Sequence, residues 1–305
     1  MKYSAYLYIN RGEDYNYPYR EAISSVLWCD EVVVGSDIRF DDMTLDGLKQ
    51  MRSEYSNIRL IEEEFDFDVA NPHGAIKQIL REECKNEWLI ELDADEYFLQ
   101  NQVAGLKDIC EHAPPRHLAI EVPCIHFFNG NNLHQDMPPH RTLISRNVNI
   151  LCHDIGKENH NGRMGAALIT EKGIKVSASL RYPNLALYHY GWYSLPRKWE
   201  TKQTVHYYDG RLQGVYDELE DYTVNLDEEE VNFWDIPWIL PIEHYTAAIH
   251  VEMHQENLAK FRGKHPLAMI EWCNTQRVLN WQPSIRTKFA KWIESKNALR
   301  QAEIV

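Results

Sequence analysis

Positive charge is scarce in this chain: across 305 residues, 32 lysines and arginines face 46 aspartates and glutamates, a formal charge of −14. That balance argues against a broad electrostatic hold on nucleic acid or anionic lipid and leaves room only for a local basic patch; nucleic acid is an unexpected partner, though not an excluded one. The six cysteines, Cys29, Cys84, Cys110, Cys124, Cys152 and Cys273, include no CxxC pair and no short scaffold spacing. This excludes a disulfide framework and fits buried thiols in a reducing compartment. No apolar run nears the ~20 residues of a membrane helix. Met1-Lys2 leads straight into a strand pattern, without the charged and apolar regions of a leader. The expectation is a cytoplasmic protein without a transmembrane segment. Internal repeats, low-complexity tracts and Gly/Ser linkers are also missing, and YINRGEDYN, after the first strand pattern, has one glycine where a phosphate-cradling loop would want several.

With 44% apolar and 26% charged residues, the chain is long enough for one large α/β domain, or one domain with a helical appendage. Its first hundred residues alternate. Tyr3 to Ile9 reads as a strand, and after Pro18 a helical face carries Tyr19, Ala22, Ile23, Val26 and Leu27. EVVVG (31–35) is a short buried strand, Thr44 is placed to cap a helix bearing Leu48, Met51 and Tyr55, and Ile58 to Ile61 is the next strand. Asn71-Pro72 opens a helix through Ile76, Ile79 and Leu80, and WLIEL (88–92) is the fourth strand. Such alternation predicts a mostly parallel, Rossmann-like sheet with helices on both faces, whose ligands gather at the carboxyl ends of the strands. From 118 to 192 the pattern becomes mixed strands and loops, and beyond Leu195 it is helical and rich in Trp and Tyr. The expected division is a sheet domain over 1–194 and a helical extension over 195–305 packed on it.

The fourth strand runs into Asp93-Ala94-Asp95-Glu96. Carboxylates delivered to a sheet edge by a buried strand ask for a counter-charge. Two aspartates one residue apart can supply oxygens to one hard divalent cation, which keeps other positions for phosphate oxygens.

Five stretches in order, from about Tyr6 to His265, carry a resemblance: YINRGEDYNYPYREAISSVLWCDEVVVG, SDIRFDDMTLDGL, WLIELDADEYF, VPCIHFF followed by TLISRNVNILCHDIG, and ALYHYGW with a downstream KHP. The chain resembles the family 2 glycosyltransferases of the GT-A fold, in a branch of bacterial and viral members with a short sheet domain and a helical tail. The resemblance implies a nucleotide-diphosphate sugar donor, with a UDP-sugar favoured, and Asp93 and Asp95 holding Mn²⁺ or Mg²⁺ against its diphosphate. His189 of HYGW would complete the metal or diphosphate site. Asp37 would contact the base or ribose beside Asn10 and Arg11, with Asp41 and Asp42 as second contacts. Where the family often carries Arg-Asn or Thr-Asn on the helix before the DxD strand, this chain has Lys77-Gln78, so that Lys77 is the positive charge on offer. An inverting transfer needs a base for the acceptor hydroxyl. The resemblance points to Asp154, in CHDIGKENH, with Glu158 as the second choice.

The acceptor expected from relatives is a cell-surface glycan precursor, with a protein side chain or a modified nucleobase in phage DNA as alternatives. A different class of function is a non-catalytic nucleotide-sugar or glycan-binding module. His250 and His254 in HVEMH have a zinc-capable i, i+4 spacing, but Glu252 stands in the wrong place for HExxH. FWDIPWILPIEHY (233–245) suits tail packing, an acceptor groove, a dimer contact or a membrane edge.

Overall fold

The computed structural model describes residues 1–40, 42–66, 72–115, 117–128, 130–134, 140–148, 150–154, 166–170, 180–181, 185–194 and 258–276. Its parallel core is β1 (Tyr3–Tyr8), β2 (Glu31–Asp37), β3 (Ile58–Glu63) and β4 (Trp88–Leu92), joined through α1 (Tyr19–Ser25), α2 (Thr44–Glu54) and α3 (Pro72–Glu83). There follow β5 (Glu96–Phe98), α4 (Val103–His112), β6 (Ala119–Phe128), β7 (Asn132–His134), β8 (His140–Arg146), β9 (Ile150–Asp154), β10 (Ala166–Thr170), β11 (Leu180–Arg181) and β12 (Leu187–Trp192). Past the undescribed stretch come β13 (Leu258–Lys260) and α5 (Leu267–Thr275).

The strand order β3-β2-β1-β4-β8-β6 makes the α/β, Rossmann-like sheet that the alternation predicts, with β8 antiparallel to both β4 and β6. Strands covered on both faces lose the polar alternation of half-exposed ones, which is why β1 and β4 read as apolar runs. Their side chains still alternate between layers. Ala5, Leu7, Val32, Val34 and Ile90 pack with Ile23, Leu48 and Leu106 of α1, α2 and α4, whereas Tyr6, Val33 and Leu89 pack with Leu80 and Cys84 of α3 and the residue after it. On the α3 face, Gly35 lets the helix approach closely: a Cβ there would lie 2.7 Å from Leu80 Cδ2. Truncating the fully buried Leu80 to alanine would cost about 2–5 kcal/mol.

Thr44 does not cap α2 as expected. Met43 occupies the cap position in the left-handed region (φ 64°), and Thr44 is the first helical residue, its amide and hydroxyl both donating to Asp42. The short acidic side chain just before the helix competes better for its first amides than a hydroxyl already inside it.

β12 lies parallel to β6 and antiparallel to β5, while the β9–β10 hairpin sits against α3. Arg146 locks β8 in place: its guanidinium covers the Trp88 ring at 4.3 Å and donates to the carbonyls of His117 and Ala113 and to Glu87. Of the expected extension, residues 258–276 are described and pack on the sheet. β13 pairs with β7, and Met269, Trp272 and Cys273 of α5 bury against Phe127, Tyr190 and Tyr193. HVEMH and FWDIPWILPIEHY lie outside the described residues. No described helix is long and apolar enough to cross a membrane.

Candidate active site

β1 is the switch point of the sheet, since the chain leaves it toward β2 on one side and returns at β4 on the other. Loops after such neighbouring strands diverge and open a crevice at their carboxyl ends. Asn10 and Arg11 follow β1 there, and Asp93 and Asp95 follow β4.

The counter-charge is Lys77. Its ammonium donates to Glu91 Oε1 at 2.7 Å and to Asp93 Oδ1 at 2.8 Å, and the Tyr6 hydroxyl donates to Glu91 Oε2 at 2.8 Å. Glu91 lies within β4 and is buried, so its charge depends on these partners. Lys77 is thus committed to two carboxylates, one inside the sheet and one at its edge.

The three carboxylates of DADE divide into separate roles. Glu96 is buried and closes the turn: its Oε2 accepts the Asp93 amide at 2.9 Å, and its own amide donates to the Asp93 carbonyl at 3.1 Å. Asp93 reaches toward Lys77. Asp95 turns the other way, its Oδ1 3.7 Å from His189 Nε2, while the Tyr190 amide donates to the Asp95 carbonyl at 2.8 Å. Pairing of β12 with β5 places His189 opposite Glu96 and so brings the HYGW strand to the DxD turn.

Gly191 keeps the gap between Asp95 and His189 open. A Cβ on it would stand 2.5 Å from His189 Nε2 and 2.8 Å from Asp95 Oδ2. Among the described residues no three His, Cys, Asp or Glu side chains converge as a metal site. One carboxylate and one imidazole facing a space that a methyl would fill nevertheless fit a divalent cation taking its other ligands from phosphate. Asp93, held by Lys77, is not part of that pair.

On the donor side, Asp37 is already saturated. Its Oδ1 accepts the Arg39 amide and Nε, both at 2.9 Å, and its Oδ2 accepts Arg39 Nη2 at 2.6 Å and the Phe65 amide at 3.1 Å. Burial alone would raise this carboxyl, but the bonds from Arg39 and Phe65, with the Arg39 charge, together hold it below the usual carboxylate range. With about four lone-pair sites filled, Asp37 in this arrangement presents Arg39 rather than itself. The Asn10 side-chain oxygen is buried and lacks a hydrogen-bond donor among the described residues, near Tyr8, whose hydroxyl is pushed up by burial and by the Asp37 charge. A buried acceptor without a donor is costly, and a ligand N–H or O–H would satisfy it. Arg11 has φ 51° and pairs with Asp14 at 2.6 Å, and Asp42 also accepts the Asp14 amide at 3.4 Å, tying the 42–44 turn to this loop.

Asp154 closes β9, opposite Ala166 of β10; Asp41 and Glu158 are outside the described residues. VPCIHFF and KHP each bring a further histidine against the HYGW strand. His126 of VPCIHFF stands opposite His189 in the β6–β12 register, their Nδ1 atoms 2.8 Å apart. Only the register between β6 and β12 pairs them, and neither motif carries that register by itself. His265 of KHP bridges Tyr190 and Asn131, with Nδ1 3.0 Å from the Tyr190 hydroxyl and Nε2 2.7 Å from Asn131 Oδ1. Burial lowers its pKa, in keeping with a neutral ring that accepts from the phenol and donates to the amide oxygen.

No protein-family model matches the chain, and no curated protein matches it by sequence. Among solved structures it is similar to residues 1–349 of S. aureus TarS in complex with UDP-GlcNAc (20% identity, 41% of this chain and 35% of that one, TM-score 0.33). It is also similar to the mannosyltransferase PcManGT from Pyrobaculum calidifontis with GDP-Man and Mn²⁺ (15% identity, 41% and 35%, TM-score 0.32). A third is a putative glucose-1-phosphate thymidylyltransferase from Bacillus anthracis (7% identity, 48% and 65%, TM-score 0.32). The match spans about a third of the first two chains. Sugar transfer and nucleotidyl transfer both occur in this set, and likenesses of this size assign no activity.

Proposed function

We propose that the chain is a metal-dependent, inverting glycosyltransferase of the family 2 kind. It moves a sugar from a nucleotide-diphosphate donor, with a UDP-sugar favoured, to an acceptor hydroxyl in cell-surface glycan synthesis. Residues 1–194 form its catalytic domain and 195–305 a helical extension, and its place is the cytoplasm. The observation that carries this reading is the Asp95–His189 pair facing each other across Gly191 at the carboxyl edge of the sheet. Its sequence support is the run of motifs from Tyr6 to His265. Cys29, Cys84, Cys110, Cys124 and Cys273 are buried thiols, with those of Cys84, Cys110 and Cys273 pushed up to about 12 by burial, which suits a reducing compartment.

Asp95 and His189 would hold Mn²⁺ or Mg²⁺. Bound there, the cation offsets charge growing on the departing diphosphate. Asn10 offers its buried oxygen to the nucleotide, Asp37 acts by aiming Arg39, and Arg11 and Asp42 order the turns beside it. Lys77 keeps Asp93 at the crevice and lends positive charge to the diphosphate side. Asp154 takes the acceptor proton as that oxygen attacks opposite the leaving group, with Glu158 as the alternative base.

The hold of Lys77 on Asp93 favours a second reading, a nucleotide-sugar-binding module without turnover, because it withdraws one DxD carboxylate from the cation. Titration of UDP with and without Mn²⁺, followed by a donor-hydrolysis assay, separates the two. The proposal expects UDP binding that strengthens with Mn²⁺ and vanishes in Asp95→Ala, together with slow release of free sugar. Binding with neither hydrolysis nor transfer favours the module; tight UDP binding indifferent to EDTA sinks the metal role.

A further inference from the structure

The loop between β1 and α1 holds two non-glycine residues in the left-handed region, Arg11 (φ 51°) and Asn16 (φ 48°). L side chains avoid that region, and such residues persist where surrounding structure holds them. Within the loop, the amides of Tyr15, Asn16 and Tyr17 donate to the carbonyls of Arg11, Glu13 and Gly12. Two outside holds come from the start of α2, where Thr44 Oγ1 accepts the Glu13 amide at 3.0 Å and Asp42 accepts the Asp14 amide at 3.4 Å. A third comes from α5: Trp272 Nε1, 256 positions away in sequence, donates to the Asn16 carbonyl at 2.9 Å. An indole N–H only donates and a carbonyl oxygen only accepts, so this bond runs one way.

We infer that Trp272 is a positioning residue: its indole fixes the 11–17 loop, on the donor side of the crevice, relative to the HYGW strand. The ring is buried and also packs on Tyr190 of β12 and on Tyr193 just after it, each at a centroid distance of 5.7 Å. One side chain therefore touches both the strand that carries His189 and the loop that carries Arg11. The place of Arg11 follows the shape of that loop, because its guanidinium lies over the Tyr15 ring at 5.1 Å and pairs with Asp14. A bond that orders the loop raises the share of molecules ready for the nucleotide, and apparent affinity scales with that share. The consequence for the donor rests on the glycosyltransferase reading above; the hold on the loop does not.

Trp272→Phe removes the donor and keeps an aromatic ring on Tyr190 and Tyr193. Hydrogen exchange of the full chain, read by NMR, should show the Asn16 and Tyr17 amides exchanging roughly 2–10-fold faster, the worth of one such bond. The amides of Met269 and Gln276, bonded to Pro266 and Cys273 in and beside α5, should exchange as in wild type. The Kd for UDP should rise by a similar factor. Coupling is reciprocal, so UDP should slow exchange of the Trp272 indole N–H in the wild-type protein by a comparable factor. Unchanged exchange of the loop amides in a folded variant overturns the inference. Equal acceleration in the loop and in α5 also overturns it, since the helix would then have lost its seat rather than the loop its bond, and so does faster loop exchange with unchanged UDP affinity. If Trp272→Phe fails to fold, the wild-type indole decides, and exchange that bound UDP leaves unaltered sinks the positioning role. Absence of UDP binding in wild type counts against the glycosyltransferase reading alone, and the loop amides still decide the hold.

Discussion

Gly191→Ala separates the site from the fold. The added Cβ would lie 2.5 Å from His189 Nε2 and 2.8 Å from Asp95 Oδ2, against 3.4–4 Å for ordinary contact. The imidazole tip must therefore retreat by about 1 Å, and the carboxylate by somewhat less. Both are side-chain ends rather than backbone, and Gly191 is not among the described glycines with positive φ, so alanine fits the main chain without strain. The expected stability cost is at the low end for overpacking, about 1 kcal/mol, or a fall of roughly 2–4 °C in melting temperature for a domain of this size. The effect on the site is far larger. Metal ligands tolerate displacements of only about 0.2 Å, and a 1 Å misplacement costs on the order of 100-fold. Differential scanning fluorimetry and UDP titration with and without Mn²⁺ read the two effects separately: the variant should melt nearly as wild type does and lose its Mn²⁺-dependent gain. Retention of that gain would refute a cation site between Asp95 and His189. A collapse in melting temperature would make Gly191 a packing glycine.

Lys77→Met strips the buried Glu91 of its ammonium partner, and removing one member of such a pair costs about 3–5 kcal/mol; urea unfolding measures it, and a loss under about 1 kcal/mol would show that Glu91 is neutral or hydrated. The His265 pKa is lowered on folding, so between that value and about 6.5 the unfolded chain binds the proton more readily. Stability should then fall as pH drops below about 6.5, and His265→Gln should flatten the slope; parallel curves for the two proteins would remove His265 from the account. Asp154→Asn should lower kcat by about 10²–10⁴-fold while leaving donor affinity within about twofold, the pattern of a group acting in the transition state. If Glu158→Gln shows that loss instead, the base lies four residues further along.

Locally encoded features were legible in the sequence. WLIEL and EVVVG read as buried strands because a run of apolar residues carries its burial in its own composition, and their alternation with helical faces implies the parallel core. Asn71-Pro72 marked the start of α3 for the same kind of reason. Partner choice between distant side chains was not legible. Lys77 looked like a charge offered to the donor, yet it meets Glu91 and Asp93; Asp37 looked like a nucleotide contact, yet Arg39 and Phe65 fill its lone pairs. Asp93 and Asp95, two residues apart and alike in sequence, face different partners because the turn that Glu96 closes sends them apart. His126 acquires meaning only when β6 and β12, 63 positions apart at the two histidines, come into parallel register. Sequence period determines which face of a strand a residue occupies; register, a property of two strands at once, determines what it meets there.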